Sequence, residues 1–301
     1  MKNKVFGSIM LFAATIIWGS AFVSQDEVSN LLQPFTFQAI RCGLAVIGLI
    51  PVIAIFDRFQ KDGKGFCAKW ADKKLWLAGI LCGIPLFLAC NLQQFGLSED
   101  TDAGKSGFLT AMYIIIVPII GLLRKKKISF MVPVSVAIAV VGLYFLSFMG
   151  GSSISTGDLL TLCCALAFAV QITFVDIFAP SVDALRLNAI QALVCTVLSG
   201  VIAIFTEQTT IQNVWQCALP IAHTGLLSMG AAYALQIMGQ KHVDPTISSL
   251  IMSLESVFAV LFQLIIQHKL LKPEETLGCV LVFIAVILSQ IEIKPKAKKP
   301  V

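Results

Sequence analysis

The sequence predicts an all-α membrane protein whose ten transmembrane helices form two inverted five-helix repeats, and three observations lead there. Hydrophobic residues make up 57% of the 301 positions and charged residues 13%, with a mean hydropathy of +0.87; soluble domains carry about 25% charged residues. Ten windows are long and apolar enough to cross a hydrocarbon core of about 30 Å as helices. The two halves also align with each other. At an offset of 150, Gly7 falls on Gly157, Trp18 on Phe168, Asp26 on Asp176, Gln38 on Asn188 and Arg41 on Gln191; at 143, Gln93 falls on Gln236 and Gly96 on Gly239; at 142, Asp102 falls on Asp244. Five spans per half is an odd number, so the second copy enters the bilayer inverted.

The first half, 5–148, holds spans over 5–24, 34–56, 75–97, 103–123 and 128–148. Its opening Met1-Lys-Asn-Lys4 is basic like a signal peptide, but the apolar run continues through Trp18 with no small-residue cleavage site, so it reads as an uncleaved span. Pro51, Pro85 and Pro118 fall inside spans two, three and four; each removes a backbone hydrogen bond and marks either a hinge or a static kink. A flexible linker, Gly150-Gly-Ser-Ser-Ile-Ser-Thr156, joins the halves. The second half, 157–291, holds spans over 157–178, 185–205, 215–239, 245–266 and 276–291, and a basic tail follows over 292–301.

Orientation follows from Lys and Arg rather than from the net charge of +5. With the N-terminus cytoplasmic, the inward segments 2–4, 58–74, 124–127, 186, 241 and 294–299 hold 18 of the 22 basic residues. Only Lys105, Lys269 and Lys272 face outward, and Arg41 lies within a span. Both termini are therefore expected in the cytoplasm, and the positive charge reflects topology rather than nucleic-acid binding. Nine cysteines, mostly inside spans, show no metal-ligand spacing and read as small packing residues.

Polar residues inside the spans are the candidate site. Glu255 lies ten residues into the ninth span, roughly 15 Å deep at about 1.5 Å per residue. Gln38, Arg41, Gln93 and Gln94 form an outer polar layer, and their repeat mates Asn188, Gln191 and Gln236 an inner one. Gln38 with Arg41, Asn188 with Gln191, and Tyr233 with Gln236 are spaced i, i+3, so each pair shares a helix face. Unpartnered polar side chains facing lipid cost several kcal/mol, so these groups face other helices or a central cavity. Trp18, Tyr113 and Tyr233 serve as walls of that cavity or as packing. Arg41 keeps its proton and either attracts an anionic substrate group or pairs with Glu99 or Asp100. Glu255 either exchanges a proton or ties its helix to a neighbour.

Ser253-Leu-Glu255-Ser-Val-Phe-Ala259 with Lys269 and Gly278 resembles the second-half signature of the EamA family of the drug/metabolite transporter superfamily. Trp18-Gly-Ser-Ala-Phe22, Arg41, Gly107-Phe-Leu-Thr-Ala-Met-Tyr113 and Val117-Pro118 resemble its first half, so the likeness runs from about Val5 to Gln290. The family often has Pro where this chain has Ser256, and the ninth helix is accordingly expected to be straighter than in relatives. The resemblance implies an inner-membrane secondary transporter, an exporter of small polar or amphiphilic metabolites such as amino acids; the inverted halves point to alternating access, and the midplane depth of Glu255 to a coupling role with the proton as a candidate partner. Its partners would be the small-molecule substrate and the lipid bilayer, without nucleic acid, cofactor or metal. The rival reading is a membrane-embedded enzyme acting on a lipid or isoprenoid phosphate, with Glu99-Asp-Thr-Asp102 holding a divalent ion; no nucleophile with a base and no phosphate loop accompany that cluster.

Overall fold

The computed structural model describes residues 2–59, 65–99, 101, 103–126, 130–147, 155–268, 270 and 272–289. Among these residues the protein is helical and without strands. Eight helices are long and apolar enough to cross a membrane: Asn3–Ser29, Pro34–Phe59, Lys73–Ser98, Ala103–Leu123, Thr156–Ser181, Ala184–Thr206, Ala218–Gln240 and Pro245–Gln267. Two shorter apolar helices, Met131–Phe145 and Thr276–Ser289, coincide with the fifth and tenth expected spans. Of the expected linker only Ser155 and Thr156 are described, and the basic tail 292–301 lies outside the described residues, as do Asp100 and Asp102.

In chain order the helices are α1 (Lys2–Ser29), α2 (Pro34–Phe59), the short α3 (Phe66–Trp70), α4 (Lys73–Ser98), α5 (Ala103–Ala111), α6 (Tyr113–Leu123) and α7 (Met131–Ser147). They continue with α8 (Thr156–Phe178), α9 (Ala184–Thr206), α10 (Ile211–Gln216), α11 (Ala218–Ala222), a π-helical stretch (His223–Ala232), α12 (Tyr233–Gln240), α13 (Pro245–Met252), α14 (Leu254–Gln267) and α15 (Pro273–Ser289). Helix starts carry the side chains that satisfy free amides. Asp72 accepts from Lys74 N, Asp183 from Arg186 N, and Asp244, just before Pro245, from Thr246 N. Ser155 and Asp158 form a reciprocal capping box at the start of α8.

The three prolines expected inside spans do not end their helices. α2, α4 and α6 run without a break through Pro51, Pro85 and Pro118. The fourth span instead breaks at Met112, where Ile115 N bonds Met112 O at 3.1 Å, and the ninth at Ser253, where Ser256 N bonds Ser253 O at 3.2 Å. The ninth span is thus divided at Ser253, whose own backbone stays in the right-handed helical region (φ −62°, ψ −14°). The Ser256 hydroxyl donates to Ser253 O at 2.7 Å, a local side-chain bond of the kind that competes with the helical ladder.

α1 packs on α14 and α12, α8 on α4 and on α5 and α6, α2 on α9, and α7 on α15. Two pairs of glycines related by the repeat permit close helix–helix approaches. A Cβ on Gly7 would lie 2.9 Å from Gly239 O, and one on Gly157 would lie 2.6 Å from Gly96 O, so any larger residue would push α1 from α12 or α8 from α4.

Carboxylates fasten the α2/α9 pair at both ends. At the end rich in basic residues, Asp57 in the last turn of α2 pairs with Arg186 in the first turn of α9 and accepts from Lys69 Nζ at 3.0 Å. The Arg186 guanidinium also lies over the rings of Phe66 and Trp70, 5.6 and 5.4 Å from their centroids. At the opposite end Glu207, capping α9, accepts from Phe35 N (2.9 Å), Thr36 N (2.6 Å) and Thr36 Oγ1 (2.7 Å) in the first turn of α2. Asp176, late in α8, binds Arg124 and Lys126 beyond α6 at 3.2 and 2.6 Å, while Asp26, late in α1, accepts from Gln267 Nε2 at 3.3 Å.

Candidate functional site

The two helix breaks carry the residues that meet at the centre. Tyr113 opens α6 directly after the break at Met112, and Glu255 lies in the first turn of α14 after the break at Ser253. Tyr113 OH donates to Glu255 Oε1 at 2.9 Å, and both side chains are buried. Beside them Trp18 of α1 meets Tyr233 of α12 edge to face, with ring centroids 5.0 Å apart, and Tyr233 OH lies 3.9 Å from Cys90 Sγ.

These groups line a cavity with about 450 Å³ of atom-free space, of which only about 30 Å³ is open to the centre of a water molecule. That is room for a water or so, and a metabolite enters only when side chains move apart. Of the candidate residues from sequence, Trp18, Arg41, Gln93, Tyr113, Tyr233, Gln236 and Glu255 line it. Gln38, Gln94, Asn188 and Gln191 do not; they stand behind the lining and hold it. Gln25, Phe168 and Ser228 also line it and escaped the sequence reading. Two of them had a signal: Gln25 is seven residues after Trp18 on the same face of α1, and Phe168 is the repeat mate of Trp18.

Arg41 is the cation of the cavity and is 2% exposed. Its Nε donates to Gln38 Oε1 at 2.7 Å and its NH1 to Gln25 Oε1 at 2.8 Å, and its guanidinium lies 5.2 Å from the centroid of the Phe37 ring. Gln38 Nε2 in turn donates to Cys90 O at 2.8 Å, and Gln94 Nε2 to Gln25 O at 3.1 Å. The suggested pairing with Glu99 is not formed: Glu99 is exposed at the C-terminal cap of α4, and the partners of Arg41 are neutral amides. Neutral oxygens satisfy the geometry of the guanidinium without cancelling its charge, which leaves it able to take an anionic group.

A second network is built from amides alone. Gln236 Nε2 donates to Gln171 Oε1 (3.1 Å), Gln171 Nε2 to Gln191 Oε1 (3.2 Å), and Gln191 Nε2 to Asn188 Oδ1 (2.9 Å). Asn188 Nδ2 ends the chain on Met229 O and Gly230 O of the π-helical stretch, at 3.0 and 2.8 Å. Gln93 Nε2 separately donates to Thr110 Oγ1 at 3.0 Å. Two buried polar atoms of lining residues have no partner among the described residues, Trp18 Nε1 and Gln236 Oε1, one a donor and one an acceptor. His223, at the start of the π-helical stretch, lies between Ser20 Oγ at 3.1 Å and Ser24 Oγ at 3.0 Å of α1. Among the described residues no group of three or more His, Cys, Asp or Glu is placed to hold a metal.

Comparison with known proteins places the chain in a family. The family model of the EamA-like transporter family matches residues 5–148 and 155–290. An uncharacterized transporter of Archaeoglobus fulgidus is 29% identical over 292 residues, covering 97% of this chain and 88% of that protein. The uncharacterized transporter YrdR of Bacillus subtilis is 31% identical over 114 residues, 36% of this chain and 32% of its own length. A crystal structure superposes with a TM-score of 0.76 over 94% of this chain and 96% of that chain at 17% identity, which speaks for the fold alone. With the family model matched in both halves, the chain belongs to the EamA-like transporter family of the drug/metabolite transporter superfamily and is a multi-pass membrane transporter.

Proposed function

We propose that the protein is a secondary carrier of the inner (plasma) membrane that exports small metabolites of the amino-acid class by alternating access. Its ten helices form two inverted repeats, 5–148 and 157–291, with both termini in the cytoplasm. The observation that carries this reading is the cavity, lined from both halves and holding a guanidinium with neutral partners, a carboxyl group, aromatic rings, and one unused donor and acceptor. A zwitterion matches that set: its carboxylate meets Arg41 and its ammonium meets Glu255 or an aromatic face.

The inverted repeat is supported by reciprocal contacts. Tyr113 and Glu255 differ by 142 positions and touch; Cys90 and Tyr233 differ by 143 and touch. Gly7 meets Gly239 while their mates Gly157 and Gly96 meet each other. Asp57 with Arg186 has its mate in Glu207 with Thr36, each shifted by 150. A unit that exchanges its halves would open the cavity to one side and then to the other.

Metabolite profiling of cells with and without the protein, followed by counterflow of the accumulated zwitterions in proteoliposomes, tests the reading. Arg41→Gln should abolish counterflow of substrates carrying a carboxylate. Counterflow at the wild-type rate in that variant, or no change in the amino-acid pool, would end it.

A further inference from the structure

A second cavity lies away from the central one, on the outside of the helices. It is a groove of about 390 Å³, walled by Val46 and Ile50 of α2, Trp76 of α4 and Leu193 of α9, with Phe66 and Trp70 contributed by α3. Every named wall is aliphatic or aromatic, and Trp76, Phe66 and Ile50 are exposed. The polar atoms are two indole N–H groups. Trp76 Nε1 donates to Trp70 O at 2.7 Å, which pins α3 to α4, and Trp70 Nε1 has no acceptor among the described residues.

Basic residues gather at one end of this groove, with Asp72 capping α4 beside them. Lys69 and Arg186 are both committed to Asp57. Lys73 and Lys74, in the first turn of α4, are exposed. Lys73 is three residues before Trp76 and therefore stands on the same face of α4, one turn beyond the groove wall. Lys and Arg here belong to the most basic connection of the first half, the kind of segment that meets the anionic leaflet.

We infer that this groove is a binding site for an anionic phospholipid, an acyl chain lying against Val46, Ile50 and Leu193 and the phosphate held by Lys73, with the Lys74 ammonium adding to the positive field of the same exposed turn. A zwitterionic lipid fits the apolar walls equally well but gains nothing from the two ammonium groups. The site also bears on the helix pair beneath it, because Phe66 and Trp70 are the same rings that flank Arg186 in its pair with Asp57. A bound lipid would hold α3 down and keep that pair closed.

Brominated lipids quench tryptophans they touch and give a direct test. The full-length protein is reconstituted in phosphatidylcholine vesicles containing increasing fractions of brominated phosphatidylglycerol or brominated phosphatidylcholine. The signal of Trp70 and Trp76 is the wild-type quenching minus that of a Trp70→Phe/Trp76→Phe variant. Half-maximal quenching should need a lower fraction of the glycerol lipid, by roughly fivefold for each lysine engaged. Lys73→Gln/Lys74→Gln should erase the preference while leaving quenching by brominated phosphatidylcholine unchanged, which also reports that the groove is intact. Equal quenching by both lipids in the wild type, a preference that survives in the lysine variant, or no quenching by either lipid would each overturn the inference.

Discussion

Asp57→Asn should destabilise the protein far more than the corresponding change at the other end of the same two helices. In the pair of Asp57 with Arg186, the side chains are 12% and 1% exposed, so the substitution leaves a guanidinium buried with Asp183, 3.6 Å away and 32% exposed, as its remaining anion. Removing one partner of a buried pair costs about 3–5 kcal/mol; the exposure of Asp57 and the nearness of Asp183 place this case near the lower figure. Glu207→Gln is milder. The amide oxygen still accepts from Phe35 N or Thr36 N, and what is lost is a charged cap, on the order of 0.5–2 kcal/mol. Thermal unfolding in detergent, followed by a thiol dye reaching buried Cys42 and Cys195, separates the two. At about 2 °C per kcal/mol for a chain of this size, Asp57→Asn should lower the midpoint by roughly 6 °C and Glu207→Gln by roughly 2 °C. Asp57→Asn/Arg186→Met should recover most of the loss, since the stranded charge is gone. Equal shifts for the two single variants, or a double variant no more stable than Asp57→Asn, would refute the reasoning.

Three further outcomes follow from the same geometry. Glu255→Gln keeps an oxygen for Tyr113 OH but cannot titrate, so substrate exchange in vesicles should persist while uptake driven by a pH gradient disappears; pH-driven uptake at the wild-type rate would leave Glu255 a structural residue. Gln25→Leu removes one of the two acceptors of Arg41 and should raise the KM for a carboxylate substrate by about tenfold, the equivalent of one hydrogen bond to a charged group, and an unchanged KM would free Arg41 from that support. Gly157→Val puts a side chain where even a Cβ would lie 2.4 Å from Glu99 O, so the yield of monodisperse protein should collapse, whereas Gly65→Val, with nothing within 4 Å, should not change it.

Much of the helical framework was legible because burial in lipid demands long apolar runs, and eight of the expected spans coincide with helices of spanning length. The breaks were not legible. The prolines of spans two, three and four each lie within a continuous helix, and the breaks sit at Met112 and Ser253, where no signal in the sequence marked them. The bond from the Ser256 hydroxyl to Ser253 O accompanies the second break, and such a bond does not show in a local hydropathy window. The cavity lining was readable where a polar residue stood out in an apolar span, as with Arg41 and Glu255. Gln25 was missed because it lies close to the polar end of α1, where a glutamine is unremarked, and only the helical spacing from Trp18 marks it. The partners of Arg41 could not be read either, since an amide and a carboxylate are both plausible acceptors until the distances are known.

The contact between Tyr113 and Glu255 has a bearing on ancestry. On the proposed arrangement these two residues are each other's counterparts, so they meet where the halves are related by rotation. An ancestor made of two identical five-helix chains would have been obliged to put like against like at that spot, a phenol facing a phenol or a carboxylate facing a carboxylate. The second choice sets equal charges against each other in a dry interior, and the first has no group that can take up or release a proton in the ordinary range. Joining the copies in one polypeptide removes the obligation, because each position can then drift separately. A phenol set against a carboxylate, a neutral donor on a charged acceptor, requires two copies that differ in sequence at that position.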